Sequence, residues 1–404
     1  MRRTLTTFAA ALAAAAGLVA GGVQTTASAA GATAARHAQS VCGTAAKGQA
    51  RCFAQKLVTS TGTQVSPFSA AVSPDGKPRP AAISGKTPSD IQSAYKLAGL
   101  STTRTVAIVD AYGYPNAERD LGVYRSQFGL PACTKANGCL TIVNQTGGTT
   151  APKTDVGWDG EQALDLDAVS AACPSCKILL VQANSASFAD LGTAVNQAAK
   201  HSGVAAISNS YGGGDSADSS YGSYYNHPGI AVTASTGDNG YQGASYPASS
   251  HYVTAVGGTS LYAASNTRGW TESAWSGAGS GCTTLNTAPA GQSSAVTGCS
   301  GRAMADVSAV ADPNTGLAVY APTTASSSSW AQYGGTSLSS PLVASVYALS
   351  GNTAGYANTL PYANPGGLFD VTSGSNGTCA SFCTAKPGWD GPTGLGTPNG
   401  TSAF

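Results

Sequence analysis

Short apolar runs rich in Val, Ile and Ala alternate with longer stretches of helical periodicity along most of this chain. The strand-like runs fall at Thr105 to Val109, Lys177 to Val181, Val204 to Ser208, Ile230 to Ala234, Tyr252 to Val256 and Gly316 to Tyr320. Helical stretches fall at Pro88 to Ala98, Trp158 to Ala172, Ser187 to His201 and Ser339 to Leu349. Strands that are apolar on both faces, separated by helices, predict an α/β fold: a doubly wound, mostly parallel sheet with helices on both faces. Ligands of such a sheet bind beyond the carboxyl ends of its strands. The Gly-rich loops Gly212 to Asp215 and Ser276 to Gly281 are expected to form the walls of that crevice.

The N-terminus departs from this alternation. Arg2 and Arg3 precede an Ala/Leu-rich stretch from Phe8 to Val19 and the small-residue site Ala27-Ser28-Ala29, the order of an export signal over residues 1–29. Residues 30–82, rich in Ala, Ser, Thr and Pro, read as a short prosegment and linker ahead of a domain spanning 83–404. No later stretch has the roughly 18 apolar residues of a membrane span, so a protein outside the cytoplasm and free of the membrane is expected. Ten cysteines fall into sequence-local twos, Cys42/Cys52, Cys133/Cys139, Cys173/Cys176, Cys282/Cys299 and Cys379/Cys383, and nearest-neighbour disulfides are expected for an exported chain.

Charge narrows the function classes. Only 10% of the 404 residues are charged, and 20 Lys+Arg balance 19 Asp+Glu, so no basic field invites nucleic acid or an anionic membrane. The acidic residues comprise 16 Asp and only three Glu: Glu118, Glu161 and Glu272.

Three places carry candidate chemistry. Gly334-Gly-Thr-Ser337-Leu-Ser-Ser-Pro341 leads into an apolar helix, placing a Ser hydroxyl where free backbone N–H groups can stabilise an oxyanion, although an N-capping Ser gives the same local pattern. Glu161 and Asp165 stand at i and i+4, about 40° apart around a helix, whereas Asp167 points about 240° away from Glu161. That pair is either a solvated first turn or a buried site in which a shared proton is useful. Asp238 sits in a Gly-flanked turn at a strand's carboxyl end, where both turn chemistry and a site role fit. The four histidines, His37, His201, His227 and His251, lie in no His-Gly-Thr context, which disfavours a Ser-His-Asp peptidase.

Taken together, Glu161-x-x-x-Asp165, Gly237-Asp238 and Gly335-Thr-Ser337 resemble the sedolisin family, the serine-carboxyl peptidases with a subtilisin-like fold. The similarity runs over about residues 86 to 404. It includes Val106-Ala-Ile-Val-Asp110, Ser208-Asn-Ser-Tyr-Gly212, Tyr246-Pro-Ala248, Gly257-Gly-Thr259 and Trp270-Thr-Glu272. The resemblance implies a secreted, monomeric endopeptidase acting on proteins or peptides at acid pH, with Ser337 as nucleophile, Glu161 as general base and acid, Asp165 orienting it and Asp238 as oxyanion partner. Asp110 and Tyr211 fall where the family extends its hydrogen-bond network. In the tail it implies one structural calcium ion in the loop 369–396, held by the Asp370 and Asp390 side chains and the carbonyls of Val371, Lys386 and Gly388. A secreted binding protein that keeps the fold without catalysis is the competing class, and it predicts loss of these residues.

Overall fold

The computed structural model describes residues 35–69, 82–352 and 354–404. The export signal and the Lys77 to Pro80 part of the linker lie outside them. The chain runs through β1 (Arg36–Ser40), β2 (Gln55–Thr59), α1 (Pro88–Ala94), β3 (Thr105–Ala111), α2 (Ala117–Gln127), β4 (Leu140–Asn144), α3 (Val156–Ala172), β5 (Lys177–Ala183) and α4 (Phe188–Ala199). It continues through β6 (Val204–Asn209), β7 (Ala231–Ser235), β8 (Thr254–Ala263), β9 (Trp270–Ala274), β10 (Val307–Val310), β11 (Leu317–Pro322), β12 (Ser328–Gly334) and α5 (Thr336–Ser350).

Five of the six predicted strands enter one sheet of order β9-β8-β7-β6-β3-β5-β4, with β10 alongside β8. All its pairings are parallel except β8 with β9. Pleating sends Val106, Ile108, Ile178 and Leu180 to the face covered by α3 and α5, and Ala107, Val109, Leu179 and Val181 to the face covered by α4. Both faces are therefore packed, as the uniformly apolar runs required. α3 and α5 pack against each other inside the larger core, and every residue of α3 from Trp158 to Ala172 is buried.

The sixth predicted strand goes elsewhere. β11 lies in a separate antiparallel sheet of order β1-β2-β12-β11, with Leu317 opposite Tyr333. The turn 323–327 is too short for a crossover, so β11 and β12 close as a hairpin and cannot be parallel neighbours. This sheet also absorbs the N-terminal segment. β1 pairs with β2, and β2 pairs with β12 through Lys56 and Gln55, so residues from Arg36 onward form one compact unit with the rest of the chain. Residues 36–59 of the stretch read from sequence as a prosegment and linker are thus paired with one another and with the sheet of the domain that follows. All five nearest-neighbour disulfides are formed, and no described cysteine is free.

α5 starts at Thr336, a turn earlier than the expected Ser339, which moves Pro341 from the first turn into the helix interior. Proline there has no N–H to give the carbonyl of Ser337 four residues back. That carbonyl accepts from the Ser210 hydroxyl instead, at 3.3 Å.

Candidate active site

The four residues singled out by sequence converge between α3, the ends of β6 and β7, and the start of α5. Gly335, at φ 96°, turns the chain from β12 into α5 so that Ser337 falls in the helix's first turn. A side chain on Gly335 would meet the carbonyl oxygen of Phe53 at 2.0 Å and Asp238 Oδ2 at 2.6 Å, so the turn needs glycine for space as well as for conformation. Ser337, Glu161 and Asp165 are fully buried and Asp238 almost so.

Each carboxylate is held by one oxygen, leaving the other without a partner. Glu161 Oε2 accepts the Ala54 N–H at 2.7 Å, and Asp165 Oδ1 accepts the Ser210 hydroxyl at 2.8 Å. Asp238 Oδ1 accepts both the N–H and the hydroxyl of Thr336, at 2.7 and 2.8 Å. Glu161 Oε1, Asp165 Oδ2 and Asp238 Oδ2 are buried with no partner. The Ser337 hydroxyl donates to the Ser210 carbonyl at 3.2 Å and lies near enough to Glu161 to favour its ionised form. Asp167, on the opposite side of α3, accepts the Tyr320 N–H at 3.1 Å and takes no part.

Asp110, at the carboxyl end of β3, joins this cluster with both carboxylate oxygens buried and unpartnered. Desolvation pushes it up to about 8. Burial, then the charge of Asp110, lifts both Glu161 and Asp165 well above the usual carboxylate range. Desolvation raises Asp238 to about 7 despite its Thr336 hydrogen bonds. Tyr211 is not bonded into the cluster; its hydroxyl donates to Asn209 Oδ1 at 2.8 Å and its ring packs near Trp158. The four histidines are elsewhere: His227 Nε2 faces the Tyr224 carbonyl, His251 Nδ1 faces Thr287, His201 lies half-buried just past α4, and His37 is exposed on β1. A Ser-His-Asp arrangement around Ser337 is thereby excluded.

Raised carboxyls make the folded state the better proton binder. Their stability contribution is fully present below the unfolded value near 4 and is lost as pH rises through about 7 for Asp238 and about 8 for Asp110. The urea midpoint is therefore expected to be higher at pH 4 than at pH 8, with Asp110→Asn narrowing the gap; equal midpoints at both pH values in the parent protein would contradict it.

The subtilase family model matches residues 146–359, which span α3, strands β5 to β12 and α5. The chain belongs to the subtilase family. Within that family it resembles the sedolisins: it is 31% identical to kumamolisin of Bacillus sp. (strain MN-32) over 81% of its length and 29% identical to sedolisin of Pseudomonas sp. (strain 101) over 78%. It spans 64% and 60% of those two relatives. Among solved structures, Pseudomonas sedolisin, a serine-carboxyl proteinase complexed with two molecules of pseudo-iodotyrostatin, superposes with a TM-score of 0.66 at 27% identity, covering 78% of this chain and 95% of that one. A psychrophilic protease, S41, shares the fold at TM-score 0.51 and 18% identity.

Sequence reasoning missed three contributors to this site. Ser210 bridges Asp165 and the Ser337 carbonyl, and Thr336 anchors Asp238 while its Oγ1 accepts the Gly237 N–H. Both stand inside motifs already noted, where position in the motif was the available signal. The third, the Ala54 N–H, has no signal in sequence.

The tail loop is built from oxygen donors. Asp390 is buried and accepts from the Lys386 N–H and from Thr393, and exposed Asp370 accepts from the Gly388 N–H at 2.9 Å. Desolvation and then the Asp370 charge are among the causes that lift Asp390 to about 6 against its hydrogen bonds. No described backbone N–H reaches the carbonyls of Val371, Lys386 or Gly388. No cluster of three or more His, Cys, Asp and Glu forms among the described residues, so a cation here would depend on those carbonyls. Two carboxylates and three free carbonyls in an irregular loop fit a hard cation.

Proposed function

We propose that this chain is a secreted serine-carboxyl endopeptidase that hydrolyses protein or peptide substrates at acid pH. The observation that carries this reading is the burial of Ser337, Glu161, Asp165 and Asp238 in one cluster where no described cation forms an ion pair with the carboxyls and each carboxyl retains an unpartnered oxygen. Ser337 attacks the substrate carbonyl while Glu161 takes its proton. The Ala54 N–H and the Ser337 hydroxyl favour the ionised form of Glu161 against its burial and the charge of Asp110. Asp165 and Asp110, protonated at acid pH by burial, keep that charge single and orient it. Below about 7 Asp238 is neutral, and its free Oδ2 holds a proton that can be donated to the oxyanion. The acid requirement follows from that donor: above its pKa Asp238 would repel the charge it must stabilise. The relatives support the peptidase reading, and the paired cysteines accord with export. A casein-hydrolysis profile between about pH 3 and 7 tests it, with activity falling as Asp238 ionises. Absence of hydrolysis anywhere in that range would sink the proposal.

Asp370 and Asp390, with the carbonyls of Val371, Lys386 and Gly388, would hold one calcium ion that neutralises the two carboxylates and ties the loop 369–396 to the body. Removing calcium with a chelator should lower the melting temperature by several degrees, with recovery on adding calcium but not magnesium. An unchanged melting curve would count against the ion.

A further inference from the structure

The turn that carries Asp238 is held from outside the site by a buried side chain of the tail. Residues 237–241 leave the carboxyl end of β7 and bend back, with Gly240 at φ 67°. The Gly237 carbonyl accepts the Gly279 N–H at 2.7 Å, and the Gly240 N–H donates to the Gly277 carbonyl at 2.8 Å. A strip from Gly277 to Ser280, outside any helix or strand, thus runs along the turn. Two irregular, glycine-rich segments lose much backbone entropy on ordering and keep one arrangement only if something ties them.

Asn376 supplies the tie. Its Nδ2 donates to the Ala278 carbonyl at 2.7 Å and to the Ser280 hydroxyl at 2.8 Å, while its own carbonyl accepts the Tyr241 N–H at 2.9 Å. A Cβ on Gly240 would meet that same carbonyl at 2.5 Å, so the turn and Asn376 are in direct contact. Asn376 is only 4% exposed and its Oδ1 is buried without a partner, a cost that filling space does not explain. Its N–H donates to the Cys383 carbonyl at 3.0 Å, within the loop that the Cys379–Cys383 disulfide closes. Phe382 of that loop meets the Tyr241 ring edge-on, with centroids 5.8 Å apart. The loop is thereby fixed against the turn at two places. Asp238 Oδ1 is anchored to Thr336 at the start of α5, so the aim of the free Oδ2 depends on where the 237–241 backbone stands.

We propose that Asn376 is a positioning residue for the oxyanion partner: it clamps the 237–241 turn to the 277–280 strip and so keeps Asp238 Oδ2 aimed at the negative charge that develops on the substrate. This rests on the peptidase reading above and deepens it by adding a residue of the tail to the site. A donor displaced by about 1 Å forfeits about 10²-fold in rate. The loss falls on kcat, because the oxyanion exists only as the bond is being broken. Gly237, Asn239, Gly240 and Gly279 also wall a cavity of about 320 Å³ beside Asp238. A clamp serving only that wall would act on substrate binding instead.

The test compares the full protein with Asn376→Ala, Ser280→Ala, Asp238→Ala and the double variants Asn376→Ala/Asp238→Ala and Ser280→Ala/Asp238→Ala on a fluorogenic peptide that the parent cleaves, with circular dichroism establishing each fold. Asn376→Ala should lower kcat about 10- to 100-fold with KM within about threefold of the parent, and Ser280→Ala, which removes one of the two acceptors, should fall in between. On the Asp238→Ala background either substitution should cost less than about twofold, since no carboxyl is left to position. The alkaline fall in activity should move to lower pH in Asn376→Ala, because a loosened turn admits water to Asp238 and desolvation is what raises it. Arg51 and Glu161, the charged groups that face Asp238, are left in place. A loss repeated in full on the Asp238→Ala background, a raised KM at unchanged kcat, or parent-like kinetics would overturn this inference and leave the peptidase reading standing. If Asn376→Ala does not fold, Ser280→Ala decides by the same outcomes. A parent that cleaves no peptide, or an Asp238→Ala protein as active as its parent, defeats the reading on which the inference rests.

Discussion

Ser337→Ala is expected to lower kcat on casein or a peptide by about 10⁴-fold or more, with the fold unchanged by circular dichroism. The hydroxyl donates to the Ser210 carbonyl, and that carbonyl still has the Phe53 N–H, so alanine leaves no stranded acceptor there. Glu161→Gln should fall nearly as far, because an amide cannot take the serine proton while it preserves volume and still meets the Ala54 N–H through its oxygen. Asp238→Ala should cost about 10²- to 10³-fold, the usual size of one oxyanion donor. Losses among these three should not add, since removing the nucleophile already removes the step that the others serve. A Ser337→Ala protein as active as its parent would place the chemistry elsewhere.

The second large effect concerns stability behind the site. Arg302 and Asp306 are both fully buried, and the guanidinium meets both carboxylate oxygens. Arg302 also donates to the carbonyls of Ser250 and Val253, while Asp306 accepts the Ala255 N–H and the Tyr362 hydroxyl. The pair therefore ties β8, β10 and the tail together beneath the cleft. Asp306→Ala strands a buried guanidinium and should destabilise by about 3–5 kcal/mol, seen as a lower urea midpoint or a much shorter half-life on heating. The exposed pair Lys135–Glu118 gives the contrast, with less than about 1 kcal/mol expected for Lys135→Ala. Equal effects from the two substitutions would refute the assignment of stability to the buried pair.

The three glutamates show how far composition could be read. Scarcity marks each as informative but does not rank them. In the folded chain Glu118 pairs with Lys135 at the surface and Glu272 with Arg268, where it also accepts from Tyr95 and Thr259. Glu161 faces other carboxylates and no cation among the described residues. A buried carboxyl that lacks a counter-ion is costly unless a proton serves it, and only the packing of α3 against α5 makes that the condition of Glu161.

Local pattern determined the elements whose signal is local. The apolar runs of β3, β5, β6 and β7, the largely apolar helix α3 and the glycine turn before Ser337 could be read from the chain because sterics and burial act on neighbouring residues. The helix α2 and strand β4 escaped such reading; α2 has a polar surface with few apolar positions and β4 is an edge strand in which only Leu140 and Val143 are buried. Spacing placed Glu161 and Asp165 on one helix face, and motif order supplied Ser337 and Asp238. Tertiary structure alone decided which antiparallel neighbour claimed β11, that Pro341 frees a carbonyl for Ser210, and that Phe53 and Ala54 lie across the cleft. The last two outcomes depend on contacts between residues more than a hundred positions apart, such as Ala54 with Glu161, whose energy exists only once the chain has brought them together.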